Sequence, residues 1–213
     1  MPTSRSYRDS CGIARALDVV GERWALLVVR ELLLAPQRFS ELRLSLPNAS
    51  SNLLADRLRE LELHGVVGRR RLAGASGPHV YELTEWGRGL EPIVLALGEW
   101  GIDAPRPAEP ASLSATSVLI FLRGGVPRDP AAPPFVCRLD LGGTPWTVRV
   151  EAGGVQVLSG EPATADIALR TDPRTLGALL ADPAALAPAL AEGSAALVGG
   201  LPTLHRLLYG DGG

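Results

Sequence analysis

A proline-rich segment near the middle of the chain separates two different hydrophobic patterns. Residues 104–110 read APRPAEP, three prolines in seven residues without apolar periodicity. Proline removes a backbone N–H donor and biases the preceding residue away from the helix, so we predict a linker over residues 104–112. Before it, apolar residues recur at helical spacing; after it, they alternate as in strands. We therefore expect an α+β protein with domains over residues 1–103 and 113–213.

The composition excludes several classes of protein. Hydrophobic residues make up 46% and charged residues 21%, which is typical of a globular chain rather than a disordered one. The longest apolar runs, residues 24–29 and 118–122, are far shorter than the roughly 18 residues of a membrane span. The chain opens without the pattern of a signal peptide, and its two cysteines match no zinc spacing. We expect a cytoplasmic protein with no membrane partner, no metal and no cofactor.

Charge is distributed unevenly along the chain. Residues 1–90 hold 13 Arg against 10 acidic residues, a net +3, and the rest holds 8 against 13, a net −5; together these give the −2 of the whole chain. Every basic side chain is Arg, because the sequence contains no Lys. This asymmetry indicates that the N-terminal half meets a polyanion.

Helical spacing dominates the first domain. It predicts a helix with Ile13, Leu17 and Val20 on one face, followed by a buried helix over residues 24–34. Next come a short helix from a Ser40 cap to Leu46 and a longer helix from a Ser50 cap through Leu54, Leu58 and Leu61 to Gly65. We then predict a hairpin, with strands at 66–72 and 79–83 and its turn at 73–78, and a last helix capped by Thr84. The last helix carries an apolar stripe of Leu90, Ile93, Val94, Leu97 and Trp100. We expect this stripe to pack inside the domain or against a second copy.

The two central helices are typical of proteins that read DNA grooves. A short helix, a turn at Pro47 and Asn48, and a second helix with polar outward residues form a helix–turn–helix. The arginines that follow on the hairpin suit DNA phosphates, although such a run can also be a solvated strand edge. The candidate DNA-binding residues are Arg38, Ser40, Arg43, Ser50, Ser51, Asn52, Ala55, Asp56, Arg59, Arg69, Arg70, Arg71 and His79.

These residues also carry a family resemblance. The stretch CGIARALDVVGERWALLVVRELL at residues 11–33, followed by RFSELRLSLPNASSNLLADRLRELELHGVV and YELTEWGRGL, resembles the HxlR-type winged helix–turn–helix regulators of bacteria over about residues 7–102. The resemblance implies a homodimeric transcription regulator, usually a repressor, that binds a palindromic operator in double-stranded DNA. Residues 50–59 would be the recognition helix and residues 66–83 the wing, with the first and last helices at the dimer interface.

Cys11 matches an N-terminal cysteine that some members of this family use to sense oxidants or electrophiles. A free cysteine beside an apolar helix is more often a small hydrophobic residue, and no second cysteine lies near it in the sequence. Arg8 and Arg15 would lower the pKa of its thiol, whereas Asp9 and Asp18 would oppose them. Both interpretations stay open.

From Leu113 onward the apolar residues alternate, which predicts an antiparallel sheet with strands over residues 135–141, 146–150, 155–158 and 167–169. A helix capped by Asp172, helices at 184–191 and 201–208 and a short strand at 195–198 would follow, with helices covering one face of the sheet. Residues 112–210 are similar to sterol-carrier-protein-2-like domains, in which a sheet and helices enclose an apolar tunnel. The candidate ligand-binding residues are Val118, Ile120, Leu122, Leu139, Trp146, Val148, Leu176 and Leu180.

The expected ligand is an apolar or aromatic small-molecule effector, oriented by polar groups such as Arg138 or Arg149. The same leucines could instead fill a solid core. No catalytic residues are predicted, because His64, His79 and His205 lie in no metal spacing and no nucleophile elbow or phosphate loop occurs. The sequence thus favours a ligand-responsive transcription regulator that is not an enzyme. The alternative is a lipid or small-molecule carrier whose winged domain serves only dimerisation or protein contacts.

Overall fold

A computed structural model of the chain describes residues 6–72, 77–105, 112–126, 128–152 and 154–210. The chain divides into two compact units, residues 1–110 and residues 111–213. In the first unit the elements are α1 (Gly12–Val20), α2 (Ala25–Leu32), α3 (Phe39–Ser45), α4 (Ser51–Leu63), β1 (Val67–Arg71), β2 (His79–Leu83), α5 (Glu85–Arg88) and α6 (Glu91–Gly101). In the second they are α7 (Ala115–Gly124), β3 (Phe135–Leu141), β4 (Thr144–Glu151), β5 (Gly154–Ser159), β6 (Ile167–Thr171), α8 (Pro173–Ala181), α9 (Leu186–Glu192), β7 (Ala196–Val198) and α10 (Leu201–Tyr209).

Local sequence signals set both ends of α4, the predicted recognition helix. The Ser50 side chain accepts a hydrogen bond from the Leu53 N–H at 3.2 Å, and Gly65 follows the helix with a positive φ of 73°. Leu54 and Leu61 are fully buried, as the spacing predicted. The prediction of this helix is confirmed, and the predicted hairpin is confirmed as β1 and β2.

A buried arginine, which the sequence analysis missed, fixes the position of α4. The Arg57 side chain is almost entirely buried, and its guanidinium forms ion pairs with Glu60 one turn later and with Glu22 at 3.8 Å. Glu22 precedes α2, so this contact joins the recognition helix to the helix packed behind it. Removing one partner of a buried ion pair is costly, because the other charge is left without compensation.

Two predicted helices of the first unit differ from the structure. The short helix α3 begins at Phe39 and not after a Ser40 cap, because the Glu41 carboxylate accepts from the Arg38 N–H at 2.5 Å and thereby closes the first turn. The last helix is two helices, α5 and α6. Pro92 has no N–H to donate to the carbonyl four residues earlier, so the helix that Thr84 caps cannot continue through it.

The sheet of the C-terminal unit is mixed, which corrects the prediction of an antiparallel sheet. Its strand order is β5-β4-β3-β6-β7, and β6 runs parallel to β3 while the other neighbours are antiparallel. Residues 160–166 return the chain to the opposite end of the sheet before β6 begins, so β6 enters in the same direction as β3. This connection passes over the sheet's outer face, where the Thr147 hydroxyl donates to the Gly160 carbonyl at 2.9 Å and Arg138 pairs with Glu161 at 2.7 Å.

The first element of the C-terminal unit is also corrected. The alternating pattern predicted from Leu113 onward is wrong over residues 115–124, which form α7 behind a Ser114 cap that accepts from the Ser117 N–H. Val118, Leu119 and Leu122 are buried at helical spacing. The five-residue apolar run at 118–122 fits both the helical period and the alternation of a strand, and its β-branched residues favour the interpretation as a strand.

The helices after the sheet follow the sequence closely. The Asp172 carboxylate accepts from the Arg174 and Thr175 N–H groups, and Pro173 opens α8, as predicted. The predicted helix at 184–191 is a 3-10 turn, Pro183–Ala185, followed by α9; the predicted short strand and final helix are β7 and α10. No helix among the described residues is long and apolar enough to cross a membrane. Of the predicted linker, residues 106–111 lie outside the described residues.

Candidate nucleic-acid interface

The outward face of α4 presents a continuous set of polar side chains. Ser51, Asn52, Asp56 and Arg59 are exposed, and Ala55 between them is half-buried. Asp56 and Arg59 form an ion pair at 2.5 Å on this face. Hydroxyl, amide and guanidinium groups of this kind can hydrogen-bond base edges in a major groove. The structure therefore brings together the recognition-face residues that the sequence predicted, while the Ser50 hydroxyl is already used in capping the helix.

The residues around α3 divide into two groups. Arg38 and Ser40 are exposed at the start of the helix. The Arg43 guanidinium instead donates to the Ala49 carbonyl, and the side chain is half-buried. Arg43 thus holds the turn between α3 and α4 in place. It is a positioning residue for the helix–turn–helix, which the sequence pattern alone did not distinguish from a DNA contact.

The arginines of the hairpin lie on two faces. Arg70 pairs in register with Val80, so both side chains lie on one face of the two strands, together with that of Glu82. At this position Arg70 Nε donates to the Glu82 carboxylate at 2.8 Å. The positive charge of Arg70 is therefore already paired with an acid, and Arg70 is the least suited of the three arginines to hold a phosphate.

The opposite face of the hairpin carries the other two arginines, which are both exposed. Arg69 pairs with Tyr81 and places its guanidinium 5.8 Å from the centre of that ring. Arg71 pairs with His79, and Arg71 Nε donates to His79 Nε2 at 3.2 Å. Partial desolvation together with the two neighbouring guanidinium groups holds the pKa of His79 below its usual value of 6.5. We call Arg69, Arg71, His79 and Tyr81 the outer wing face; residues 73–76 of the predicted turn lie outside the described residues.

A large apolar surface on the N-terminal unit lies away from α4. Helix α6 has no buried residue, and Ile93, Leu97 and Trp100 expose 54%, 46% and 77% of their surfaces. Ile13 and Leu17 of α1 are also exposed. A groove of about 410 Å³ separates α1 from α5 and α6, and it is lined by apolar side chains together with Arg15. The predicted apolar stripe is thus on the surface of the single chain, and such surface is costly to leave in water.

In the C-terminal unit most of the predicted ligand-binding residues lie in the core. Six of the eight are buried and two are half-buried; the buried ones are Val118, Leu122, Leu139, Trp146, Val148 and Leu176, and the half-buried ones are Ile120 and Leu180. Arg138 and Arg149 do not face this core, which corrects the expectation that they orient a ligand there. Successive strand residues point to opposite faces, so Arg138 lies outside between the buried Cys137 and Leu139.

In the C-terminal unit the buried polar atoms without a hydrogen-bond partner among the described residues include Trp146 Nε1 and Tyr209 Oη. Desolvation and the Asp182 carboxylate raise the pKa of Tyr209. An unpaired buried donor costs free energy, and a polar group of a ligand or a water molecule could satisfy it.

The two cysteines have opposite environments. Cys11 is exposed and precedes α1, and its backbone N–H donates to the Asp9 carboxylate at 2.8 Å. Cys137 is fully buried in the sheet of the other unit, and desolvation raises the pKa of its thiol to about 12. Among the described residues no group of three or more His, Cys, Asp or Glu side chains could hold a metal ion.

Comparison with known proteins gives matches to the N-terminal half of this chain. A family model of HxlR-like helix-turn-helix proteins matches residues 19–108. The uncharacterized HTH-type transcriptional regulator YvaP of Bacillus subtilis is 40% identical over 89 residues, which cover 42% of this chain and 82% of YvaP. The uncharacterized HTH-type transcriptional regulator Rv3095 of Mycobacterium tuberculosis is 39% identical over 101 residues, 46% of this chain and 62% of that protein. The solved structure of the redox regulator HypR in its oxidized form shares 36% identity, covers 46% of this chain and 100% of its own, and has a TM-score of 0.43.

Proposed function

The chain belongs to the HxlR-like helix–turn–helix family, and from that premise we propose that it is a homodimeric repressor that binds a palindromic operator and responds to a small-molecule effector. The single observation that carries the proposal is the exposed polar face of α4, next to a wing whose outer face is cationic. Base edges are read from the helix, and backbone phosphates are held by the wing.

Dimerisation is supported by the apolar surface of α1 and α6. A second copy that covers Ile13, Leu17, Ile93, Leu97 and Trp100 removes this surface from water. A two-fold axis through this interface presents two recognition helices to one face of the DNA. Their separation must be about one helical turn, ~34 Å, to reach two half-sites.

The C-terminal unit is the proposed effector-binding domain, a sterol-carrier-protein-2-like domain over residues 113–213. Its apolar core and the unpartnered Trp146 Nε1 support an apolar or aromatic ligand that carries a hydrogen-bond acceptor. The effector shifts operator affinity by binding better to one of two states of the protein, and typical coupling energies correspond to roughly 5- to 150-fold.

Retardation of DNA fragments by the purified full chain tests the DNA-binding proposal. At low salt the protein is expected to retard a fragment from upstream of its own gene or a neighbouring one. Asn52→Ala is expected to alter the preference among operator variants, since an amide can read adenine. Leu63→Ala is a suitable control, because Leu63 is 82% exposed on α4 outside the candidate recognition positions. If no fragment is retarded, the carrier function with a winged domain for protein contacts becomes the better account.

Thermal denaturation of the full chain with a library of lipids and aromatic metabolites tests the effector proposal. A ligand of the C-terminal unit is expected to raise the melting temperature and to change operator affinity. Binding without any effect on DNA affinity would support the carrier function. If no compound shifts the melting temperature, the C-terminal unit is a solid core that serves as a spacer or an additional dimer contact.

A further inference from the structure

The outer wing face combines a histidine with two guanidinium groups, and its hydrogen bonding depends on protonation. In the neutral form of His79, Nε2 accepts the hydrogen bond from Arg71 Nε. Protonated imidazole has two donors and no acceptor, so this bond cannot form when His79 is charged. Protonation therefore turns a donor–acceptor pair into two donors that point from one face of the hairpin.

The charges around His79 oppose protonation in the free protein. Arg69 and Arg71 lie beside it on β1, and Tyr81 shares its face on β2. A backbone bridge between Gln37 and Tyr81 joins the segment before α3 to β2. The charged residues that follow Gln37 are Arg38 and Glu41, and the Glu41 carboxylate accepts from the Arg38 N–H.

On the opposite face of the hairpin, Glu82 is paired with Arg70 at 2.8 Å. Residues 73–76, Ala-Gly-Ala-Ser in the sequence, carry no titratable side chain. The carboxylates of Glu82 and Glu41 are therefore both engaged with other donors.

A phosphate bound at the outer wing face reverses this balance. An anion within ~4–6 Å of an imidazole favours its charged form, typically by 1–3 pKa units. The same phosphate also attracts Arg71, whose Nε is released from His79 once the imidazole is protonated. Binding of the phosphate and uptake of the proton thus favour each other.

We propose that the outer wing face is a proton-coupled phosphate site, at which His79 takes up one proton when a DNA backbone phosphate binds between it and the guanidinium groups of Arg69 and Arg71. The inference rests on the proposed DNA-binding function and adds a pH-dependent component to affinity that does not depend on base sequence. Affinity is expected to be highest below the pKa of His79 in the free protein. It declines as the pH rises through the higher pKa of His79 in the complex.

The test uses the full chain and a short fluorescein-labelled DNA duplex of mixed sequence, titrated by fluorescence anisotropy at low salt. Between about pH 8 and about pH 5.5, the wild-type Kd is expected to fall about tenfold more than that of His79→Gln, because a one-unit pKa change corresponds to a tenfold change in affinity. His79→Arg is expected to bind at both pH values as the wild type does at the lower one. His64→Gln removes a histidine at the end of α4 and is expected to keep the wild-type pH profile.

Calorimetry provides an independent readout of the proton. The binding enthalpy of the wild type is expected to differ between phosphate and Tris buffers in proportion to the proton taken up, whereas that of His79→Gln is not. Equal pH dependence of wild type and His79→Gln, or buffer-independent wild-type enthalpies, would overturn the inference and leave the DNA-binding function intact. Failure of the wild type to bind the duplex at any pH would instead remove the DNA-binding function itself.

Discussion

Replacing Leu97 with Glu is expected to dissociate the proposed dimer. Leu97 lies on α6, which buries none of its residues in the single chain, and 46% of Leu97 remains exposed. Complete burial of a leucine side chain stabilises by about 1.5–3 kcal/mol, so covering the exposed half contributes about 1 kcal/mol per copy. A two-fold interface contains the change twice, which gives about 2 kcal/mol, or roughly a 30-fold increase in the dimer Kd.

The introduced carboxylates increase this effect, because each must be desolvated against an apolar partner. We therefore expect the dimer Kd of Leu97→Glu to rise at least 100-fold, with a loss of operator affinity, since two linked recognition helices are needed for two half-sites. Sedimentation equilibrium at micromolar concentration measures the mass. Leu63→Glu makes the same chemical change at an exposed position of α4 and is expected to remain dimeric. A dimeric Leu97→Glu, or a wild type with the mass of the 22.4 kDa monomer, would refute the reasoning.

Three further predictions test other parts of the structure. Cys11 should react with a thiol reagent at once, whereas Cys137 should react only after unfolding. The pKa of about 12 of the Cys137 thiol leaves roughly one thiolate in 10⁴ at pH 8. Fast reaction of both thiols in the folded protein would contradict the burial of Cys137. Gly87→Ala should lower the unfolding free energy by about 1–3 kcal/mol or more, because the added methyl would lie 2.0 Å from a backbone oxygen; an unchanged denaturant midpoint would contradict this packing. Arg69→Ala should reduce the slope of log affinity against log salt by about 1, whereas Arg70→Ala should change this slope little. If the two variants have the same slope, the ion pair with Glu82 does not neutralise Arg70.

The recognition helix could be predicted because its signals are local. The Ser50 cap, the leucines at helical spacing and Gly65 act within one or two turns of one another, and tertiary contacts do not oppose them. The same is true of the Asp172 cap and Pro173 at the start of α8. Side-chain roles on the wing could not be predicted in this way. Arg70 depends on Glu82, twelve residues later on a paired strand, so its neutralisation follows from the register of the hairpin.

The errors in the C-terminal unit have a similar origin. Five consecutive apolar residues fit both a helix and a strand, and packing against β5 and α8 decides for α7. The parallel pairing of β6 with β3 depends on the path of residues 160–166 across the sheet. Arg138 and Arg149 lie on the outer face of the sheet, because successive side chains of a strand point to opposite faces. The sequence did not show which face of each strand is buried, and therefore did not show which polar groups could contact a ligand in the core.

Selection of bound fragments from a random DNA library by the purified full chain tests the central claim most directly. The account predicts enrichment of one inverted repeat whose half-site centres lie one helical turn apart, about 34 Å. It also predicts one dimer per site and a different enriched half-site for Asn52→Ala, because Asn52 is exposed on the recognition face. Recovery of unrelated fragments without two-fold symmetry, or the same half-site for the wild type and Asn52→Ala, would contradict the assignment of α4 as the element that reads the operator.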